Sequence, residues 1–128
     1  MKQTNFRLGN LIMYDRVVNK IASLNTSFDT LDIETPQGNI IHTRLEFIKR
    51  IPISTEWLEK LGFERLPEND FGDILYAKTN YSEDYTMVIQ VDGNYFYDKE
   101  LKRRMHYIDD LQNLYFYLSF EELEIVSP

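Results

Sequence analysis

The sequence of 128 residues contains no cysteine, which excludes disulfides, thiolate metal ligands and a cysteine nucleophile. It has no apolar run near the roughly 20 residues that a membrane-spanning helix requires. No apolar segment of the signal-peptide type follows its first seven residues. The lack of cysteine also suits a reducing compartment. We therefore expect a cytoplasmic protein, and the sequence assigns it no cofactor and no metal site.

Positive charge is scarce as well. Fourteen Lys and Arg residues stand against 21 Asp and Glu residues, so the formal net charge is −7 at pH 7. This balance disfavours non-specific binding to phosphate backbones and to anionic membranes. The sequence also lacks a nucleophile elbow, a P-loop, a dinucleotide fingerprint and a zinc-protease motif. We expect that the protein is not an enzyme, and no catalytic residue is assigned.

Short segments of alternating polar and apolar residues dominate the first part of the chain, residues 6–48. They predict about four antiparallel strands joined by tight links. Turns are expected at Tyr14–Arg16 and Pro36–Asn39, and a loop at Asn25–Ser27. The last strand is predicted to run from Ile40 to Phe47. Strands so short and closely linked are typical of a small barrel or curled sheet, and an SH3-like barrel is the specific prediction.

A short helix is predicted at residues 54–62, where every local signal agrees. Ser54 is a favourable N-cap residue. Ile53 and Leu58 have the spacing of a hydrophobic staple, and Gly62 suits the left-handed position after a helix. Residues of about 73–98 then predict a three-stranded antiparallel meander, with the Asp92–Gly93 dipeptide at its second hairpin.

The strongest amphipathic pattern lies at about residues 107–118 and predicts a helix that covers the meander. One arc of its helical wheel is apolar, and the opposite arc carries Asp109, Asp110, Asn113 and Tyr117. Ser119 is expected to begin a new helical turn, and residues 123–126 a last edge strand. The fold class is therefore α+β. We predict a barrel-like subdomain at residues 1–50 and an α+β subdomain at residues 51–128, packed as one unit.

Three segments resemble a group of uncharacterised proteins from prophages and mobile elements of Bacteroidetes bacteria. The group pattern reads L-R-I-G-N, then P-I-P-L-T-E-E-W-L, then Y-V-H-Q-L-Q-N-L-Y-F-A-L-T-G-E-E-L. The matching segments here lie within residues 7–10, 51–63 and 111–123. The chain departs from the pattern at Asp109, Asp110, Tyr117 and Phe120. The resemblance implies a bacterial mobile-element setting and no particular chemistry.

Two sets of residues are candidates for binding. Tyr117 falls on the polar arc of its helix beside Asp110 and Asn113, and an exposed tyrosine with polar neighbours is typical of a protein interface. These three residues predict binding to another protein or a homo-oligomer, with a dimer expected.

The alternative is a nucleic-acid-binding module that uses the basic linker at residues 99–104. Its phosphate-binding candidates are Lys99, Lys102, Arg103 and Arg104. His106 has the spacing of a helical metal or acid–base group with Asp109 and Asp110, but capping and solvation are the preferred explanation of this pattern.

Overall fold

The computed structural model describes residues 6–25 and 27–126. Within them the chain is α+β, with two antiparallel sheets and two α-helices. Thr26, in the predicted loop Asn25–Ser27, lies outside the described residues. The residues group into two compact units. The first extends to Ile51 and includes Tyr107–Asn113, and the second comprises Pro52–His106 with the residues from Leu114 onward.

The first unit contains the predicted four antiparallel strands. They are β1 (Leu11–Tyr14), β2 (Val17–Asn25), β3 (Thr30–Glu34) and β4 (Ile40–Arg44), hydrogen-bonded in sequence order. One face of this sheet carries the buried aliphatic residues of the unit's core, because side chains alternate between the faces of a strand. On the strands these residues are Ile12, Ile21, Leu31 and Ile33, and Phe6, Leu45 and Ile48 contribute to the same core from outside the sheet.

The turn predicted between β1 and β2 is confirmed, and its geometry is a two-residue loop without glycine. Asp15 and Arg16 both have positive φ, at 50° and 63°. This is the arrangement of a type I′ turn, whose twist matches that of the flanking strands. The sequence did not predict this left-handed conformation, because neither position is a glycine.

Two details of the first unit differ from prediction. The described residues contain no closed barrel, since β1 and β4 are the two ends of the strand order and each has one sheet neighbour. The SH3-like barrel is therefore not supported. The strand predicted to reach Phe47 ends at Arg44, and Leu45–Phe47 forms a 3-10 turn. Leu45, in that turn, is 2% exposed and belongs to the core of the unit.

The second unit begins with the predicted short helix, α1 (Thr55–Lys60). Ser54 is its N-cap, and the Ser54 hydroxyl accepts a hydrogen bond of 3.2 Å from the backbone N–H of Trp57. Gly62 has a φ of +90° just after the helix, as the sequence predicted. Leu58 and Leu61 are fully buried, so α1 contributes one side to the core of this unit.

The sheet of the second unit has five strands where three were predicted. They are β5 (Glu64–Arg65), β6 (Ile74–Thr79), β7 (Thr86–Asp92), β8 (Tyr95–Asp98) and β9 (Arg103–Met105), antiparallel and in sequence order. The three predicted strands correspond to β6, β7 and β8. The two additional strands are the sheet edges. They are only two and three residues long, too short to give an alternating pattern in the sequence.

The C-terminal helix, α2, spans Ile108–Ser119. Its residues to Asn113 belong to the first unit, and those from Leu114 belong to the second. Residues 120–126 are not helical, so the new turn predicted at Ser119 is wrong. The Ser119 hydroxyl donates to the carbonyl of Tyr115, and the helix ends there because Phe120 has a φ of 62°. The edge strand predicted at residues 123–126 is also absent from this described segment.

Candidate functional site

The first turn of α2 carries an ion triad within the first unit. The Arg50 guanidinium donates two hydrogen bonds to the Asp109 carboxylate, at 3.0 and 2.7 Å, and one of 2.9 Å to Asp110. The guanidinium also lies 4.1 Å from the centroid of the Tyr107 ring. Because Asp110 accepts the backbone N–H of Tyr107 as well, it both caps the helix and binds Arg50.

Asp109 corrects the helical-wheel prediction. It was placed on the solvent arc, yet its side chain is 0% exposed. Burial raises the pKa of the Asp109 carboxyl, while the hydrogen-bonded Arg50 guanidinium acts in the opposite direction. The same hydrogen bond raises the pKa of Arg50. A bidentate arginine pair of this kind provides the partner that a buried carboxylate needs.

A second polar network joins β1 and α2. The Gln112 side chain accepts the backbone N–H of Leu11 at 2.7 Å, and Asn113 accepts from Asn10 at 2.8 Å and from Arg7 at 3.2 Å. Asn10 and Gln112 are almost fully buried. Residues 7–10, one of the segments that resemble the prophage group, are therefore hydrogen-bonded to Gln112 and Asn113 of another such segment. Their polar residues have a structural role in the first unit.

The predicted interface residues are thus not equivalent. Asp110 and Asn113 are both hydrogen-bonded within the first unit, to Arg50 and to Asn10 respectively. Tyr117, which belongs to the second unit, has 76% of its side chain exposed. Of the three candidates it is the one that presents a large apolar ring to solvent.

Two further exposed aromatic residues lie where α2 ends. Phe120 follows the helix and is 83% exposed, and Tyr81 is 95% exposed. The loop that contains Tyr81 is held to the end of the helix by Glu121. Its carboxylate accepts the backbone N–H of Tyr81 at 2.6 Å and the hydroxyl of Ser82 at 2.6 Å. We call Tyr81, Tyr117 and Phe120 the aromatic surface.

Glu121 is the residue that holds the aromatic surface together. The hydrogen bonds from the Ser82 hydroxyl and then the Tyr81 backbone lower the pKa of its carboxyl. The link is supported by Asn80, which is 2% exposed and whose amide oxygen accepts from the backbone N–H groups of Asp84 and Tyr85. The sequence pattern gave no indication of this link, because the residues that it joins are about 40 positions apart.

The four basic candidates do not form a linker. Lys99 and Lys102 lie in the tight turn between β8 and β9, whereas Arg103 and Arg104 are in β9. The Arg104 guanidinium lies 4.0 Å from the centroid of the Tyr95 ring. Arg104 is directly opposite Tyr97 in the sheet register. Their role in phosphate binding stays a prediction.

His106 lies in the second unit, beside a shallow groove of 410 Å³ that is also lined by Ser54, Asn94 and Arg104. Asp109 and Asp110, with which it was considered as a group, are bound to Arg50. Across residues 6–25 and 27–126, no group of three His, Asp or Glu residues has a geometry that could hold a metal ion.

Neither helix in the described part of the chain is long and apolar enough to span a membrane. Comparison with known proteins gives no further assignment: no family model matches the sequence, and no curated protein and no solved structure is significantly similar to it. The functional interpretation therefore depends on the surfaces described above.

Proposed function

We propose that this chain is a non-enzymatic accessory protein of a prophage or mobile element that acts by binding another protein. The observation that carries the proposal is the aromatic surface, in which Tyr81, Tyr117 and Phe120 are each more than three-quarters exposed. Aromatic residues are enriched at protein interfaces because each ring buries a large area and loses little conformational entropy.

The backbone conformation of Phe120 is a second observation that supports a binding role for this surface. Phe120 has a φ of 62°, in the left-handed region that favours glycine at the end of a helix. A bulky side chain in this conformation costs roughly 1–2 kcal/mol. Because the ring is 83% exposed, its burial within the chain offsets little of that cost. A strained, exposed phenylalanine is consistent with a residue kept for contact with a partner.

Charge around the aromatic surface favours a basic partner over a second copy of the chain. Glu83 and Asp84 are exposed in the loop that follows Tyr81, and Glu122 is exposed after the helix. An interface between two copies of this surface would bring like charges together, which is unfavourable. A partner that presents Arg or Lys would meet complementary charge and exposed ring faces suited to cation–π contacts.

Selection from a library of random peptides displayed on phage tests the proposal and does not require the partner to be identified first. We expect the selected peptides to combine Arg or Lys with apolar residues. Their binding should fall at least about tenfold with Tyr117→Ala or Phe120→Gly, since interface anchors of this type contribute about 1.4 kcal/mol or more. Neither substitution changes the protein's charge, so general electrostatic attraction is constant in the comparison.

Phe71→Ala is the matched control, because Phe71 is an 88% exposed phenylalanine elsewhere in the second unit. Peptides that bind wild type and the Tyr117→Ala variant equally, or a selection that yields no binding peptide, would contradict the proposal. Light scattering after size-exclusion chromatography tests whether the partner is instead a second copy of this chain. A dimer that dissociates with Tyr117→Ala would identify a second copy as the partner and overturn the basic-partner assignment.

A further inference from the structure

The five-stranded sheet of the second unit has one face that is less buried than the other. Along β8 the side chains alternate: Phe96 and Asp98 are almost fully buried, whereas Tyr95 is 45% exposed and Tyr97 is half-buried. Tyr95 and Tyr97 therefore share the more open face. The strand order places β9, with Arg104, beside them on the same face, because residues directly opposite in an antiparallel pair point the same way.

These three side chains are stacked against each other. The Arg104 guanidinium lies 4.0 Å from the Tyr95 ring centroid, and the Tyr95 and Tyr97 centroids are 6.4 Å apart with the rings tilted by 44°. Such contacts hold flat groups in fixed positions at a sheet surface. The arrangement leaves Tyr97 at the centre, with Arg104 as a cation on one side.

Two lysines lie close to Tyr97 and complete the group. Lys99 and Lys102 line a shallow depression of 420 Å³ together with Gln90 and Tyr97. Two carboxylates, Asp92 and Asp98, also line the depression, and Glu100 lies in the same turn as the lysines. Asp98 is 1% exposed, and one of its carboxylate oxygens accepts the backbone N–H of Leu101 within the turn. We call Tyr95, Tyr97, Lys99, Lys102 and Arg104 the stacking face.

We infer that the stacking face binds single-stranded nucleic acid. Sheet-borne aromatic rings flanked by cations suit unpaired bases, which stack on the rings while Arg and Lys bind the phosphates. A duplex fits less well, because its bases are already stacked on each other. This inference uses different residues from the aromatic surface and does not depend on the proposed protein-binding function.

Fluorescence anisotropy with labelled oligonucleotides of about 12 nucleotides tests the inference. Mixed-sequence DNA and RNA single strands are compared with a duplex of the same sequence. We expect single strands to bind at least about tenfold more tightly than the duplex. Binding should weaken with salt with a slope of about −2 in log K against log salt, as expected for three cations that contact phosphates.

Variants separate stacking from charge. Tyr97→Ala should weaken single-strand binding roughly tenfold, whereas Tyr97→Phe should leave it within about twofold, because the ring rather than the hydroxyl stacks on the base. Lys102→Gln should reduce the salt slope by about 0.7. Tyr117→Ala, in the aromatic surface, is the control that should not alter nucleic-acid binding. Emission from Trp57, the single tryptophan, verifies that the second unit of each variant is folded.

Three results would overturn the inference. The first is the absence of single-strand binding at about 50 mM salt, where phosphate contacts are strong. The second is equal affinity for single strands and duplex. The third is binding that Lys102→Gln weakens but Tyr97→Ala does not, which would mean that the cations attract any polyanion and that the rings have no part.

Discussion

At Phe120 we expect the glycine variant of the protein to be more stable than the alanine variant, which is the reverse of the usual order. At most positions a protein is more stable with alanine than with glycine, by roughly 0.5–1 kcal/mol, because glycine loses more backbone freedom on folding. At Phe120, with its φ of 62°, alanine keeps the left-handed strain of roughly 1–2 kcal/mol and glycine removes it. We therefore expect Phe120→Gly to be more stable than Phe120→Ala by about 0.8 kcal/mol, the difference between these two midpoints.

The comparison is independent of the phenyl ring, since both variants lack it. Urea unfolding followed by Trp57 emission measures the difference, because Trp57 and Phe120 belong to the same unit. With a slope of about 2 kcal/mol per molar urea, the two unfolding midpoints should differ by about 0.4 M.

Tyr117 provides the matched reference. It is 76% exposed and lies inside α2, where glycine should be less stable than alanine by about 1 kcal/mol. The reasoning is refuted if alanine is the more stable residue at both positions, since Phe120 would then not be strained. It is also refuted if glycine is the more stable residue at both, since the effect would then not come from the backbone conformation.

Three other predictions concern single interactions. Ser54→Ala should lower the free energy of unfolding by about 1 kcal/mol in the same urea assay, because it removes the N-cap of α1. Asp109→Ala should lower the free energy of unfolding by about 3 kcal/mol, since it leaves the Arg50 guanidinium without its buried partner. Unfolding followed by far-UV circular dichroism measures this, and an unchanged free energy would contradict a stabilising role for the triad. The Glu121 carboxyl, whose pKa is lowered on folding by Ser82, should contribute stability above about pH 4.3 that is lost at lower pH. Glu121→Gln should remove this part of the pH dependence, and unchanged pH curves would exclude the link.

The parts of the fold that the sequence predicted are those determined by neighbouring residues. The helix at Thr55–Lys60 is set by its Ser54 cap and by the glycine that follows, and the turn at Asp15–Arg16 by the apolar segments on either side. Such signals act over a few residues, so a single sequence is sufficient to detect them. The α+β class follows from the same local patterns.

The features that were missed depend on residues far apart in the chain. The edge strand β9 exists because it pairs with β8, and its residues Arg103–Met105 carry no strand pattern of their own. Asp109 is buried because Arg50, 59 residues earlier, supplies its partner, whereas the helical wheel considers only residue type and angle.

The sequence predicted one residue of the aromatic surface and not the other two. The exposed position of Tyr117 follows from the helical wheel, and it is confirmed. Tyr81 and Phe120 were not predicted, because their placement depends on the Glu121 carboxylate and on the conformation after α2. The departure of Phe120 from the glycine of the resembling group was the one signal that could have identified it.

The first unit is built from two distant parts of the chain, so it cannot be completed until late in synthesis. Its sheet is complete once residue 51 has been translated, but the α2 residues that bind Arg50, Asn10 and Leu11 are made much later. At roughly 5–20 residues per second, the 59 residues between Arg50 and Asp109 take about 3–12 s. During that time the Arg50 guanidinium and the Leu11 amide have only water as a partner at these sites. In a ribosome-bound chain stalled before Tyr107, the Leu11 amide should therefore undergo hydrogen exchange, and its protection should begin only after α2 has left the exit tunnel.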